Sequence, residues 1–475
     1  SAASDVYKRQ TYLLIIGAVY IGILIFFSWR TKKQIKTSSD FMLGGTKIGV
    51  LIGLMTFAAT LFSTFTLLGM PDFSRSNGVG AWIFLTFSDT IMVFLILWFG
   101  FYLRKRVGQS TYQGMSALLQ KCYKNKIAGY LYFTAIFLFL IPYIAIQIRG
   151  VAIFLVSAFP DFIPLWGWSI GIVLIMLIYS ELGGLKAIIY ADALQGTLLL
   201  IVVWIVAFNC LNELGGWGLL FEKVATVNQD LLATPGPKGL LSPQFLIASA
   251  LAILMIPVTQ PQLSTRLVIM KNYNALKKMA TSVGFFAMLV ILPTIIIGMY
   301  GAIYYADAST SEFLGGVLLE EQNELIAAFI IIGLFAAAMS TSDSQLFAMG
   351  NEIKGLLGLK EDDNLLPIKF VILLFALSAL VFSLLSSDEL VLLARLSFSG
   401  TALMGPMIML GIFSKRPQGV SIIVLSALAL FIFILSNLGW FPKQITSIRT
   451  DLFLMIVLGV AAIVNFYILR PRSKS

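Results

Sequence analysis

Five consecutive oxygen-bearing side chains, Ser340, Thr341, Ser342, Asp343 and Ser344, lie in the segment GLFAAAMSTSDSQLFAMG at 333–350. The enclosing apolar run, 325–349, is long enough to cross a bilayer. Hydrocarbon tolerates such a run only against other protein or a water-filled cavity, and an ionisable residue there marks a candidate functional site. At helical spacing Ala337, Ser340, Thr341 and Ser344 follow i, i+3, i+4, i+7 and share one face. A small residue followed by hydroxyls directs a backbone carbonyl and side-chain oxygens to one point, a donor set for a hard cation. Ser and Thr on membrane helices also bond back to their own helix or join neighbouring ones. Asp343 argues for more than that, because a carboxylate at this depth needs a proton, a cation or a basic partner.

Few other charges remain inside apolar runs: Asp89, Arg149, Asp192 and, just inside another, Arg395. A buried charge needs a partner, so Arg149 either pairs with a carboxylate or meets a solute. In the second case its guanidinium favours a carboxylate through bidentate bonding. Gln147, two residues away, lies on another face of the same helix. The run at 48–70 is also rich in hydroxyls, with Thr56, Thr60, Ser63, Thr64 and Thr66 in and around FAATLFSTF. Carbonyls from this span and hydroxyls from the later one could together enclose a cation, as unwound half-helices do at the membrane midplane. No Gly or Pro falls within 57–66, so no break is readable there. In the run at 242–263, Pro257 and Pro261 bracket Gln260 and either free carbonyls or simply kink the helix.

The elements that must position these groups are membrane helices. Of 475 residues 59% are hydrophobic and 12% charged, the balance of a polytopic membrane protein. Apolar runs at 12–29, 48–70, 81–103, 127–159, 166–179, 187–211, 242–263, 279–305, 325–349, 367–385, 390–413, 419–438 and 451–469 predict thirteen spans. Alternate loops collect most Lys and Arg, among them Arg30 to Lys47, Arg104 to Lys126, Lys186, Arg266 to Lys278, Lys354 to Lys369, Lys415 and Arg416, and Arg470 to Lys474. The opposite loops are poor in them, which puts the N-terminus outside and the C-terminus in the cytoplasm of a plasma (inner) membrane. The net charge of +10 is thereby a topology signal, and the lipid bilayer rather than nucleic acid is the expected surroundings. The first ten residues, SAASDVYKRQ, resemble a translated sequencing adaptor and are set aside from that reading.

The chain contains no His, which removes imidazole metal sites, His proton relays and Ser-His or Cys-His nucleophiles. GGTKIG at 44–49 is too short to cradle phosphates, and neither a nucleotide fingerprint nor an organic cofactor motif is present. No enzyme is expected. Cys122 and Cys210 fall on opposite sides of the membrane in this topology, so no disulfide joins them.

Several motifs, in order, resemble the sodium/solute symporter family of proline, galactose, sialic acid and pantothenate carriers. They are SDFMLGG at 39–45, YIAIQIRG at 143–150, GGLKAIIYADALQ at 183–195, QPQLSTR at 260–266, AAAMSTSDSQL at 336–346 and GPMIMLGIFSKR at 405–416. The resemblance implies an all-α core of two inverted five-helix repeats with broken helices, one leading helix and two trailing ones. The implied divisions are a non-native leader at 1–10, a leading helix and basic inner loop at 11–47, repeats at 48–211 and 242–413 around an outer loop at 212–241, and trailing helices with a basic tail at 414–475.

It also implies sodium as the coupling ion, held by the carbonyls of Ala58, Leu61 and Ala337 and the hydroxyls of Ser340 and Thr341. In some relatives a second sodium binds one turn on; the matching residues are Asp192, Ser340, Asp343 and Ser344. Asp343 departs from the Ser of those relatives and would strengthen that site or take a proton. Solute contacts map to Thr60, Phe62, Ser63 and Phe65, then Gln147 or Arg149, then Gln260. Phe62 and Phe65 replace small or polar residues and imply a compact, partly apolar solute. The expected function is sodium-driven uptake of a small organic solute, a carboxylate or amino acid, by alternating access. Proton coupling through Asp343, and a non-transporting sensor or a channel on the same fold, are the alternatives.

Overall fold

The computed structural model describes residues 2–32, 47–108, 112–159, 162–182, 184–359, 366–386, 389–414 and 419–467. The SDFMLGG motif, Gly183 and the basic residues Lys360, Lys415, Arg416, Arg470, Arg472 and Lys474 lie outside them.

Helix boundaries follow short polar signals between the apolar runs. The long helix that carries the hydroxyl cluster, Glu324–Leu357, starts at Asn323, whose side chain accepts from Ile326 N, and stops at Gly358 in the left-handed region (φ 67°). Asn125 and Asn272 cap Lys126–Ala158 and Tyr273–Tyr304 in the same way. Pro243 and Pro261 stand in the first turn of Pro243–Leu254 and Pro261–Ile269, where a missing N–H costs nothing.

In chain order the helices are α1 (Ala2–Lys32), α2 (Val50–Leu61), α3 (Met70–Asn77), α4 (Val79–Arg106), α5 (Met115–Tyr123), α6 (Lys126–Ala158), α7 (Leu165–Leu182), α8 (Gly184–Leu214) and α9 (Trp217–Val227). Then come α10 (Pro243–Leu254), α11 (Ile256–Thr259), α12 (Pro261–Ile269), α13 (Tyr273–Tyr304), α14 (Thr310–Gly315), α15 (Glu324–Leu357) and α16 (Leu366–Leu385). The last are α17 (Leu390–Ala402), α18 (Gly405–Phe413), α19 (Ser421–Asn437) and α20 (Thr450–Tyr467). A two-residue hairpin, Gln444–Ile445 with Ile448–Arg449, precedes α20.

Nine helices among the described residues are long and apolar enough to span, and a tenth if one bent pair counts as a single span. The count of thirteen is not reached by length, because Leu165–Ile178, Pro243–Leu254 and Ser421–Asn437 are apolar but shorter. The bent pair is 50–77: α2 and the helical stretch after it meet at 58°, with a π-turn over Phe65–Gly69. A second interruption separates α10, α11 and α12, with Gln260 extended (φ −93°, ψ 120°) between Pro257 and Pro261, as those prolines predict.

α15 is the centre of the molecule. Its most apolar window is 78% buried, against 17% for α1 and 22% for α16, so a polar cluster on it faces protein and not lipid. It packs on α8, α1, α6 and the C-terminal part of α2, while α13 packs across α4, α3, α8 and α2. The trailing helices α19 and α20 pack on one another and on α18, away from this centre.

Candidate cation and solute site

Unwinding at Phe62 leaves the carbonyls of the last turn of α2 without helical partners, at the negative end of the helix dipole. Ala58 O takes the last helical bond, from Phe62 N at 2.7 Å, and Leu61 O accepts from Tyr143 Oη at 3.1 Å. Each carbonyl keeps a second lone pair. Against this end lies the hydroxyl face of α15: Thr341 Oγ1 donates to Thr60 O at 3.5 Å, and Thr60 Oγ1 stands 3.3 Å from Ser344 Oγ. Ser340 Oγ donates to Asp192 Oδ1 at 2.6 Å, which leaves its lone pairs available. Ala58, Leu61, Ala337, Ser340 and Thr341 are all buried, and the Thr341 hydroxyl of α15 meets a carbonyl at the broken end of α2. The donor chemistry fits a sodium ion.

The break needs neither Gly nor Pro because side-chain oxygens take the amides it frees. Ser63 N donates to Thr66 Oγ1, Thr64 N to Gln147 Oε1 and Phe65 N to Ser63 Oγ, each at 3.2 Å. Gln147 Nε2 in turn donates to Ser63 Oγ and to Tyr143 O. Gln147→Leu should leave Thr64 N and Ser63 Oγ short of partners, at about 1–3 kcal/mol for each buried group stranded. The expected result is a fall in melting temperature together with at least a tenfold loss of sodium affinity; unchanged sodium affinity would show that Gln147 does not hold the break.

One turn along, the sequence groups Asp192, Ser340, Asp343 and Ser344 as a second cation site. The structure brings Asp192, Ser340 and Ser344 together, but around a guanidinium. Arg266, 2% exposed, donates Nη2 to Asp192 Oδ2 at 2.8 Å and to Ser344 Oγ at 2.7 Å. Its Nε donates to Thr56 Oγ1 at 2.8 Å and its Nη1 to Gln262 O at 2.9 Å, while Thr56 Oγ1 also donates to Asp192. By sequence Arg266 counts among inner-loop basic residues; in the fold it belongs to the buried end of α12. The apolar run Leu267, Val268, Ile269 and Met270 directly after it is the signal that it lies inside. Asp343 stays apart, 1% exposed, with neither carboxylate oxygen hydrogen-bonded among the described residues.

The expected solute contacts divide. Phe62, Phe65 and Tyr143 wall a cavity of about 20 Å³, measured as room for the centre of a water-sized sphere, together with Leu61, Asp89 and Phe398. Phe62 packs on Phe286 (centroids 5.9 Å apart) and Phe65 edge-on to Phe398 (6.4 Å). Thr60 and Ser63 are buried in the α2 break beside it. Gln147 supports the break from α6. Arg149 is not brought to the cavity: its Nη1 donates to Ser383 O on α16 at 2.7 Å. Gln260 accepts from Gln262 Nε2 at 2.7 Å and does not line the cavity either. Asp89 does line it, a contact that depends on how α4 docks and that the linear sequence cannot place.

The sequence and the whole fold have known counterparts. Residues 41–419 match the model of the sodium:solute symporter family. The chain is 24% identical over 348 residues to a sodium/pantothenate symporter of Haemophilus influenzae, covering 70% of this chain and 69% of that one. It is 27% identical over 357 residues to a sodium/proline symporter of Staphylococcus aureus, covering 72% and 67%. The fold matches a Na+-coupled sialic acid symporter in a substrate-bound outward-open state with a TM-score of 0.77, at 18% identity over 96% of each chain. A nucleobase-cation-symport-1 family transporter in a closed conformation matches at 0.59, with 12% identity over 89% of this chain and 93% of that one. These relatives are transporters, not enzymes, and with the family model spanning most of its length this chain belongs to the sodium:solute symporter family.

Proposed function

We propose that the chain is a secondary active symporter that couples inward sodium flux to uptake of a small organic solute by alternating access. The observation that carries this is the meeting of the broken end of α2 with Thr341 and Ser344 on α15, one residue and four residues along from Ser340. A cation there binds two helices at once and therefore favours the arrangement that holds them together, outward-open with the solute cavity formed. Joint occupancy by ion and solute then permits rocking to the inward-open state. Ala58, Leu61, Ala337, Ser340 and Thr341 hold the sodium; Arg266 takes the place of a second one, which gives one sodium per solute. The chain crosses the plasma membrane thirteen times with its N-terminus outside, in the orientation its basic loops support. An amino acid or small carboxylate is the solute, in keeping with relatives named for proline and pantothenate.

A second reading makes Asp343 the coupling residue through a proton, favoured by the lack of a hydrogen-bond partner on either of its oxygens among the described residues. Proteoliposomes carrying a sodium or a proton gradient separate the two. Ser340→Ala is expected to raise the half-saturating sodium concentration at least about tenfold, the equivalent of ~1.4 kcal/mol, while Asp343→Asn keeps sodium-driven uptake. Uptake driven by protons alone, indifferent to Ser340→Ala and abolished by Asp343→Asn, would sink the sodium assignment.

A further inference from the structure

Among the described residues Asp89 is the one carboxyl group in the wall of the cavity at the α2 break. It sits mid-way along α4, 4% exposed, and makes no hydrogen bond or ion pair among the described residues. Around it stand Phe62, Phe65, Tyr143 and Phe398, with Leu85, Ile253 and Ile256 completing an apolar lining. Nothing cationic lines this cavity. Arg149 bonds to Ser383 O, and Arg395, in the wall of the adjoining pocket, is held by Asp451 and Ser249.

An anion arriving here would ordinarily be met by the amides at the start of the second half-helix. Those amides are spent: Ser63 N, Thr64 N and Phe65 N already donate to Thr66, Gln147 and Ser63 side chains. What the cavity offers instead is an unpaired carboxylate, costly in a low-dielectric interior unless a cation or a proton meets it, and a ring of aromatic faces, which attract ammonium groups. We propose that the transported solute carries a protonated amine that pairs with Asp89, its apolar body packed against the rings. The inference rests on the symport reading and narrows it: of carboxylates and amino acids, the amine-bearing compounds are the substrates, and an acid without an amine would bring a second negative charge beside Asp89.

Three neighbouring pockets lie between Asp89 and the vestibule side of the molecule. A vestibule of 260 Å³, in the same measure, lies among Asp72, Arg75, Ser309, Thr310 and Glu389. It shares Val391 with a second pocket, which shares Phe65, Leu85, Ile253 and Phe398 with the Asp89 cavity. The edge-to-face pair Phe65 and Phe398 is the partition a solute must displace to reach the carboxylate.

The test uses full-length protein in proteoliposomes with an inward sodium gradient and matched labelled probes. L-alanine and L-leucine are compared with propionate and 4-methylpentanoate, which lack the amine, and with ethylamine and isoamylamine, which lack the carboxylate. Wild type is expected to accumulate at least one amine-bearing probe and neither amine-free acid. Asp89→Asn is expected to weaken that uptake at least 30-fold in half-saturating concentration, on the order expected for a buried charge pair that loses one member, with Asp89→Glu intermediate. The rise in melting temperature caused by sodium alone should be equal in wild type and Asp89→Asn, which separates loss of solute binding from misfolding. Accumulation of the amine-free acids, or amine uptake unchanged in Asp89→Asn, overturns the inference and leaves sodium symport standing. No sodium-driven accumulation of any probe, together with no sodium-induced stabilisation, overturns the symport reading and this inference with it.

Discussion

Replacing Arg266 with methionine is expected to lower stability by about 3–5 kcal/mol, the range for removing one member of a buried ion pair. Arg266 makes four hydrogen bonds at 2.7–2.9 Å, to Thr56, Gln262, Asp192 and Ser344. Methionine fills much of the same volume but leaves Asp192, which is fully buried, as an uncompensated charge. The double variant Arg266→Met with Asp192→Asn should recover most of that loss, because it removes the charge along with its partner. Sodium itself gives a second readout. If the guanidinium occupies the place of an ion, Arg266→Met should let a second sodium in, and the Hill coefficient for sodium should rise from near one toward two while high sodium partly restores the melting temperature. A variant that melts like wild type with an unchanged sodium response would mean that Arg266 neither holds this cluster nor stands in for an ion.

The second large effect is expected about two turns further along α15, near its C-terminal end. Glu352, 1% exposed, accepts from Met115 N at 2.8 Å and Ser116 N at 2.7 Å and so caps the first turn of α5. The two helices touch closely enough that a Cβ on Gly355 would come within 1.8 Å of Gln113 O. In the proposed orientation this contact lies on the cytoplasmic side. Glu352→Ala strands two buried amides, a cost of about 2–4 kcal/mol, and should let α5 leave α15. Cys122 on α5 reports it. Its thiol is buried, and that burial pushes its pKa up against the opposing pull of Arg106, so it should react slowly with a maleimide in wild type. Labelling of Cys122 is expected to rise at least tenfold in Glu352→Ala and less in Glu352→Gln, with buried Cys210 on α8 as the internal control. Equal labelling in all three proteins would rule out Glu352 as the latch.

Much of this was legible from residue types alone. The hydroxyl stripe on α15, the helical break between Pro257 and Pro261, and the separation of Cys122 from Cys210 all follow from local pattern. The first break does not, because its code is distributed: Ser63 and Thr66 act within the segment, but Gln147 and Tyr143 come from α6. Arg266 was hidden by its neighbours in the chain, since Lys271, Lys277 and Lys278 make any nearby arginine look like loop charge. Asp89 could be seen as a buried acid but not as a cavity wall, which depends on how α4 packs. Conversely, Arg149 was a candidate solute contact because a charge inside an apolar run needs a partner, and the fold gives it one elsewhere, Ser383 O on α16.

If Arg266 stands in for a second ion, as proposed, its guanidinium sets a ceiling on work. With one sodium per cycle and a zwitterionic solute, one net charge crosses per turnover. A membrane potential of 100 mV then adds about 2.3 kcal/mol, roughly 50-fold, to the accumulation the protein can sustain beyond what the sodium concentration ratio provides. A two-ion carrier would square both factors but spend twice the sodium on each molecule. If Arg266 is that built-in charge, the chain is geared for economy: shallower gradients of solute, won at half the ionic cost.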